Sequence, residues 1–165
     1  MEDPINIQEY SYSPIKYEEI PYYNPLKLTG YFQNELYFKD FESQIKQLFS
    51  IEDSCIHYIN NKYGDILGKG SMSIHIRRGD YLMLPEHPVC NLDYYSEAMG
   101  VVQKQDRISN ILIFSDDIEW CKANITDFQD KITYVEDEED YIELWMMSLC
   151  NHNIIANSTF SWWGA

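Results

Sequence analysis

Ser71-Met72-Ser73-Ile74-His75-Ile76-Arg77-Arg78-Gly79-Asp80-Tyr81 decides how the rest of the chain is read. A short apolar run ends in an imidazole, two adjacent guanidinium groups and a carboxylate, with a glycine before the carboxylate. Residues 72–76 read as a strand. Gly79 marks the turn that follows, because it takes up backbone conformations that other residues resist. In a chain with 27 acidic and only 12 basic residues, two arginines side by side at a strand end point to a held anion. A nucleotide diphosphate is the anion that suits them best.

Working outward from this stretch, strand and helix alternate. Residues 92–103 read as a helix that Asn91 can cap. Ile111-Leu112-Ile113-Phe114 is the continuous apolar run expected of a parallel strand buried on both faces. Ser115-Asp116-Asp117 opens a helix carrying Trp120 and Cys121, and Ile132-Thr133-Tyr134-Val135 reads as a third strand. A helix over 141–150 follows, then a strand at Asn153-Ile154-Ile155-Ala156 and the start of another helix at Ser161-Trp162-Trp163-Gly164-Ala165. The alternation predicts an α/β fold, a Rossmann-like open parallel sheet with flanking helices. Ligands of such sheets lie outside the carboxyl ends of the strands, where the following helices aim their first amides. The polar clusters 75–80, 115–117 and 157–161 all fall at that rim.

Before the sheet the pattern differs. Residues 1–39 are rich in Tyr and Pro (Tyr10, Tyr12, Pro14, Tyr17, Pro21, Tyr22, Tyr23, Pro25) and read as an extended, packed connector. Residues 40–68 read as a helical segment, with Phe41, Ile45, Leu48 and Phe49 on one helical face, and Cys55, Ile56 and Ile59 on a second that Gly64 stops. Residues 69–165 form the expected Rossmann-like domain.

Composition bounds the function. With 165 residues, 45% of them hydrophobic and 15% aromatic, the chain can bury a real core. Its formal charge of -15 excludes nucleic acid and anionic membrane as partners, so any phosphate must be small and locally clamped. Cys55, Cys90, Cys121 and Cys150 form no C-x-x-C pair and read as reduced thiols. No apolar stretch reaches the roughly 18 residues a membrane helix needs. As written the chain reads as soluble and cytoplasmic; an anchor in a preceding region would make it membrane-associated or Golgi-resident. The sequons at Asn124 and Asn157 carry little weight without a secretory signal.

Three motifs together carry a resemblance. His75-Ile76-Arg77-Arg78-Gly79-Asp80-Tyr81, Phe114-Ser115-Asp116-Asp117 with Trp120-Cys121, and Asn157-Ser158-Thr159-Phe160-Ser161-Trp162-Trp163-Gly164-Ala165 resemble the α-1,2-fucosyltransferases, glycosyltransferase family 11. Gly30-Tyr31-Phe32-Gln33 with Tyr37-Phe38 resembles the segment preceding the donor domain there, so the likeness runs over residues 17–165. It implies a GT-B architecture with GDP-fucose in the C-terminal half. It further implies inverting transfer of L-fucose to the 2-hydroxyl of a galactose-terminated glycan, with neither metal nor cofactor. Family members usually begin with a Gly-rich strand of an N-terminal half and continue past Trp-Trp-Gly-Ala. This chain has neither feature, and so looks like the donor half trimmed at both ends.

The implied chemistry assigns roles. Cleaving fucose C1 from phosphate leaves negative charge on the diphosphate, and Arg77 can hold two of its oxygens through a planar fork that never deprotonates. Arg78 should point the other way along an extended backbone, bracing the loop against Asp80 or another acid, or touching substrate. His75 resembles the family position beside the nucleotide, with a satisfied core histidine as the alternative. Asp116 and Asp117 either accept from guanine N–H groups or a ribose hydroxyl, or cap the following helix. Asn157, Ser158, Thr159 and Ser161 offer small donors beside the amides of a helix start. An inverting transfer also needs a base for the acceptor hydroxyl, and Asp80, Glu86, His87 or a group in the N-terminal half could serve. The acidic run 136–140 reads as a solvated loop.

Two other readings compete with an active enzyme. One is an inactive nucleotide-sugar-binding remnant. The other is an adhesion module displaying Arg78-Gly79-Asp80.

Overall fold

The computed structural model describes residues 8–11, 17–30, 32 and 34–165; Tyr12, Pro14, Tyr31 and Gln33 of the segments above lie outside the described residues. The chain divides into two compact units, Met1–Ser50 and Ile51–Ala165. In the first, β1 (Gln8–Ser11) pairs in parallel with β2 (Leu26–Thr29), Gln8 opposite Leu26. The helix α1 (Glu42–Leu48) closes this unit. In the aromatic-rich segment the Tyr17 ring lies 4.9 Å from that of Tyr37, and the Tyr37 hydroxyl accepts from the Glu18 amide at 3.1 Å.

The second unit starts with α2 (Asp53–Tyr63), which Gly64 ends as its spacing predicts. There follow β3 (Gly68–Ile76), α3 (Leu92–Gln105), β4 (Asn110–Ser115), α4 (Ile118–Asn124), β5 (Ile132–Tyr134), α5 (Asp140–Ser148), β6 (Cys150–Ile154) and α6 (Thr159–Gly164). The four strands form one parallel sheet in the order β5-β4-β3-β6. The chain winds outward from β3 to β5 and then restarts on the other side of β3 with β6. The alternation predicts a Rossmann-like open parallel sheet; the order found is the doubly wound one, with its topological switch between β3 and β6.

The two faces of the sheet are built differently. On one, Met72, Ile74 and Ile76 of β3 and Ile111 and Ile113 of β4 join Tyr95 and Met99 of α3 and Cys121 of α4 in one buried cluster. On the other, Leu112 and Phe114 of β4 meet Ile59 and Tyr63 of α2 and Ile142, Met146 and Met147 of α5. Both faces of β4 are covered, which is why its sequence is unbroken apolar. The alternate residues of β3 are instead Ser71, Ser73 and His75, all buried.

These serines explain a shifted element. The fourth strand is expected at 153–156 from its apolar residues, but it runs from Cys150 to Ile154. Polar Asn151 and Asn153 belong to it because β3 satisfies them. The Asn151 amide donates to Ser71 Oγ at 3.3 Å, and Ser73 Oγ bonds Asn153 Oδ1 directly across the ladder. Residues 155 and 156 leave the sheet for the rim. For the same reason α5 stops at Ser148, short of the expected 150.

Candidate functional site

The loops after β3, β4 and β6 meet the rim where the sequence places them, and the first two are knitted by charge. Asp116 accepts the Arg78 amide through Oδ1 at 2.9 Å and pairs through Oδ2 with Arg77 Nη1 at 3.1 Å. Arg77 Nη2 donates to Asp80 Oδ1 at 2.7 Å. The Arg77 guanidinium thus lies between two carboxylates, still one-third exposed, with the Tyr81 ring 5.5 Å away. Gly79 is needed here for close approach: a Cβ on it would run into the Asp116 carboxylate.

Arg78 goes the other way, as alternation along an extended backbone predicts. Its Nε donates to Asp117 Oδ2 at 3.0 Å, and its guanidinium stacks 3.7 Å over the Trp120 ring. Only 16% of the side chain remains exposed. The bracing partner is Asp117, and Asp80 is left to Arg77. The tripeptide Arg78-Gly79-Asp80 therefore does not present its two charges side by side on the surface. Asp117 also caps α4, accepting the Trp120 amide at 3.3 Å, so the helix-cap role falls to Asp117 while Asp116 holds the turn.

His75 is 5% exposed, packed 5.4 Å from the Phe160 ring, and its Nδ1 finds no hydrogen-bond partner among the described residues. Burial pushes its pKa down to about 4, with Asp116 opposing and Arg77 reinforcing the fall. At neutral pH it is an uncharged imidazole with an unspent polar atom. A buried group left in this state costs about 1–3 kcal/mol.

The loop after β6 is uncharged and largely turned on itself. Ser161 is fully buried and its Oγ reaches the carbonyls of Ser158 at 3.3 Å and Ala156 at 3.5 Å. Ser158 sits at the N-cap of α6, and Thr159 is the exposed first residue of that helix. The Asn157 side chain is spent on the 80–90 loop: Nδ2 donates to the Pro88 carbonyl at 2.8 Å, and Oδ1 lies 3.8 Å from Cys90 Sγ. Of the other base candidates, His87 stacks on Tyr81 at 5.0 Å.

Sequence reasoning missed Trp120, the platform under Arg78, and Tyr81, which touches Arg77. Trp120 was legible as an aromatic one turn beyond the Asp117 cap. It also missed Glu143, a half-buried carboxylate whose pKa burial pushes up to about 7, helped by Asp140 and Glu138. A lone acid inside the apolar run Tyr141 to Cys150 was the available signal. In the acidic run, Glu138 is not solvated: its carboxylate accepts from the Tyr58 and Tyr63 hydroxyls at 3.0 and 2.6 Å and is nearly buried.

Comparison with known proteins bears on what this rim does. The model for Glycosyl transferase family 11 matches residues 5–165. An alpha-1,2-colitosyltransferase of Escherichia coli is 34% identical over 150 residues, covering 85% of this chain and 50% of that protein. The O-antigen biosynthesis glycosyltransferase WbnK of the same species is 33% identical, covering 84% and 49%. The human galactoside alpha-(1,2)-fucosyltransferase 1 is 27% identical, covering 85% and 42%. The chain spans about half the length, or less, of these relatives. No helix among the described residues is long and apolar enough to cross a membrane.

Proposed function

Because the chain belongs to glycosyltransferase family 11, we propose that it is the donor-binding half of an enzyme that moves L-fucose from GDP-fucose to the 2-hydroxyl of a galactoside. The transfer inverts the anomeric centre, and protein side chains supply the counter-charge for the leaving diphosphate. The observation that carries this reading is the Arg77 guanidinium, one-third exposed at the carboxyl rim of the central strand and held between Asp80 and Asp116.

As the C1–oxygen bond lengthens, charge builds on the β-phosphate, and Arg77 meets it by exchanging its bond to Asp80 for bonds to phosphate oxygens. The guanidinium stays in place during the exchange because Asp116 keeps its other nitrogen. Such preorganised charge stabilisation contributes on the order of 10²-fold or more in rate. Asp80, released beside the reacting centre, accepts the proton of the acceptor hydroxyl. His75 offers its unspent Nδ1 to the nucleotide. Asp116 and Asp117 have lone pairs left for guanine or ribose donors, and Ser158 and Thr159 stand beside the first amides of α6. The counter-charge role falls to Arg77 alone, since Arg78 is committed to Asp117 and Trp120.

A second donor is favoured by one observation, the 34% identity to a protein named as a colitosyltransferase. Measuring GDP affinity and sugar transfer separately tests the whole reading, with fucosyl and colitosyl donors offered in parallel to a β-galactoside. Transfer of fucose supports the first donor and transfer of colitose alone the second. Nucleotide binding without transfer of either leaves a binding remnant, and no GDP binding sinks the reading.

A further inference from the structure

The crevice at a topological switch point lies between the loops of its two flanking strands. In this sheet those strands are β3 and β6, and four hydrogen bonds, three from the loop after β3 and one from the first turn of α3, strap that side to the loop after β6. The Tyr81 hydroxyl donates to the Asn157 carbonyl at 3.2 Å, and the Tyr94 hydroxyl donates to the Ile155 carbonyl at 2.7 Å. Asn157 Nδ2 donates to the Pro88 carbonyl at 2.8 Å, and Cys90 Sγ donates weakly to Asn157 Oδ1 at 3.8 Å. Residue 157 takes part in three of the four, through its carbonyl and both ends of its amide.

We propose that Asn157 is a positioning residue that straps the 80–90 loop to the loop before α6, fixing Tyr81 and through it Asp80 and Arg77, without touching the diphosphate. This rests on the donor-half reading for its catalytic meaning, but the strap itself does not.

Three features argue for it. In Asn157 both ends of the side-chain amide meet the same loop, which fixes the amide's orientation; the second Nδ2 hydrogen has no part in the strap. The strap reaches the arginine through one residue: Tyr81 is bonded to the Asn157 carbonyl, adjoins Asp80 in sequence and lies 5.5 Å from the Arg77 guanidinium. Finally, β3 and β4 need no such device, because Asp116 already ties the Arg78 amide across that side. Without the Asn157 amide the 80–90 loop would keep only the Tyr81 bond to the backbone carbonyl of residue 157 on the β6 side.

The test is amide hydrogen exchange of the nucleotide-free chain, comparing wild type with Asn157→Ala and Tyr81→Phe, with β3 and β4 as the internal control for folding. Loss of the strap lowers local protection, so exchange over residues 81–90 should rise by about tenfold in Asn157→Ala, with the strands unchanged. GDP affinity should stay within about twofold, since the affected bonds are not to the ligand. Tyr81→Phe should loosen the same segment, and the double variant should lose less than the sum of the two, as residues in one network do. In the transfer assay the loss should fall on kcat, with KM for the donor little changed. Exchange at the wild-type level in Asn157→Ala overturns the proposal, all the more if GDP affinity falls tenfold at the same time, which marks a direct ligand. Failure of the wild-type chain to bind GDP would instead count against the donor-half reading, while the exchange result still decides the strap.

Discussion

The loops after β3 and β4 share a rim with the loop after β6, but the two regions are made of opposite materials. The first ties two guanidinium groups to three carboxylates: Arg77 to Asp80 and Asp116, Arg78 to Asp117. The second carries no charge; Ser161 turns its hydroxyl onto nearby carbonyls and Asn157 is spent on the neighbouring loop. In the charged region, a ligand anion binds only by exchange of partners, so removing one group changes both binding and chemistry. In the neutral region the hydrogen-bonding groups shape the loops, and single hydroxyls are dispensable.

The largest expected effect is at Arg77. Arg77→Ala should lower transfer by about 10²-fold or more and weaken GDP binding, with little change in thermal midpoint, because its partners stay solvent-accessible. Arg78→Ala should do the reverse, lowering stability by about 2 kcal/mol through loss of the Asp117 bond and the Trp120 stack. If chemical denaturation finds Arg78→Ala as stable as wild type, the division of labour between the two arginines is wrong. Asp80→Asn sharpens it further: with the competing carboxylate neutralised, GDP should bind a few-fold more tightly while transfer falls by 10²-fold or more, on the order expected of a lost general base.

Titration separates the regions in another way. The His75 pKa is pushed from 6.5 down to about 4, so the unfolded chain takes up a proton first and stability is lost as pH falls from 6.5 toward 4. Glu143 is pushed from 4.5 up to about 7, so its contribution is lost as pH rises through that window. Thermal midpoints of Glu143→Gln should therefore match wild type below pH 4.5 and exceed it above pH 7. His75→Gln should flatten the acid limb. The smallest effect is expected in the neutral loop: Thr159→Ala should change GDP affinity by less than about threefold, since the backbone amides remain.

The same contrast explains what the sequence could reveal. The alternation of strand and helix, the rim and the opposite turns of Arg77 and Arg78 were legible, because period and charge are local signals. The start of β6 was not, since Cys150 read as the end of a helix and Asn151 as loop until Ser71, 80 residues before Asn151, is seen to bond it. Asn157 read as a ligand donor for the same reason: its actual partners, Pro88 and Cys90, lie almost 70 positions away. Neutral polar residues do not announce their partners. Charged ones do so better, though even Arg78 needed the fold to choose Asp117 over Asp80.

The most direct test is calorimetric titration of GDP into the chain and into its Arg77→Ala and Thr159→Ala variants. Saturable binding at one site is expected, weakened at least tenfold by Arg77→Ala and nearly unchanged by Thr159→Ala. Absence of saturable binding, or equal affinity with and without the Arg77 guanidinium, would contradict it.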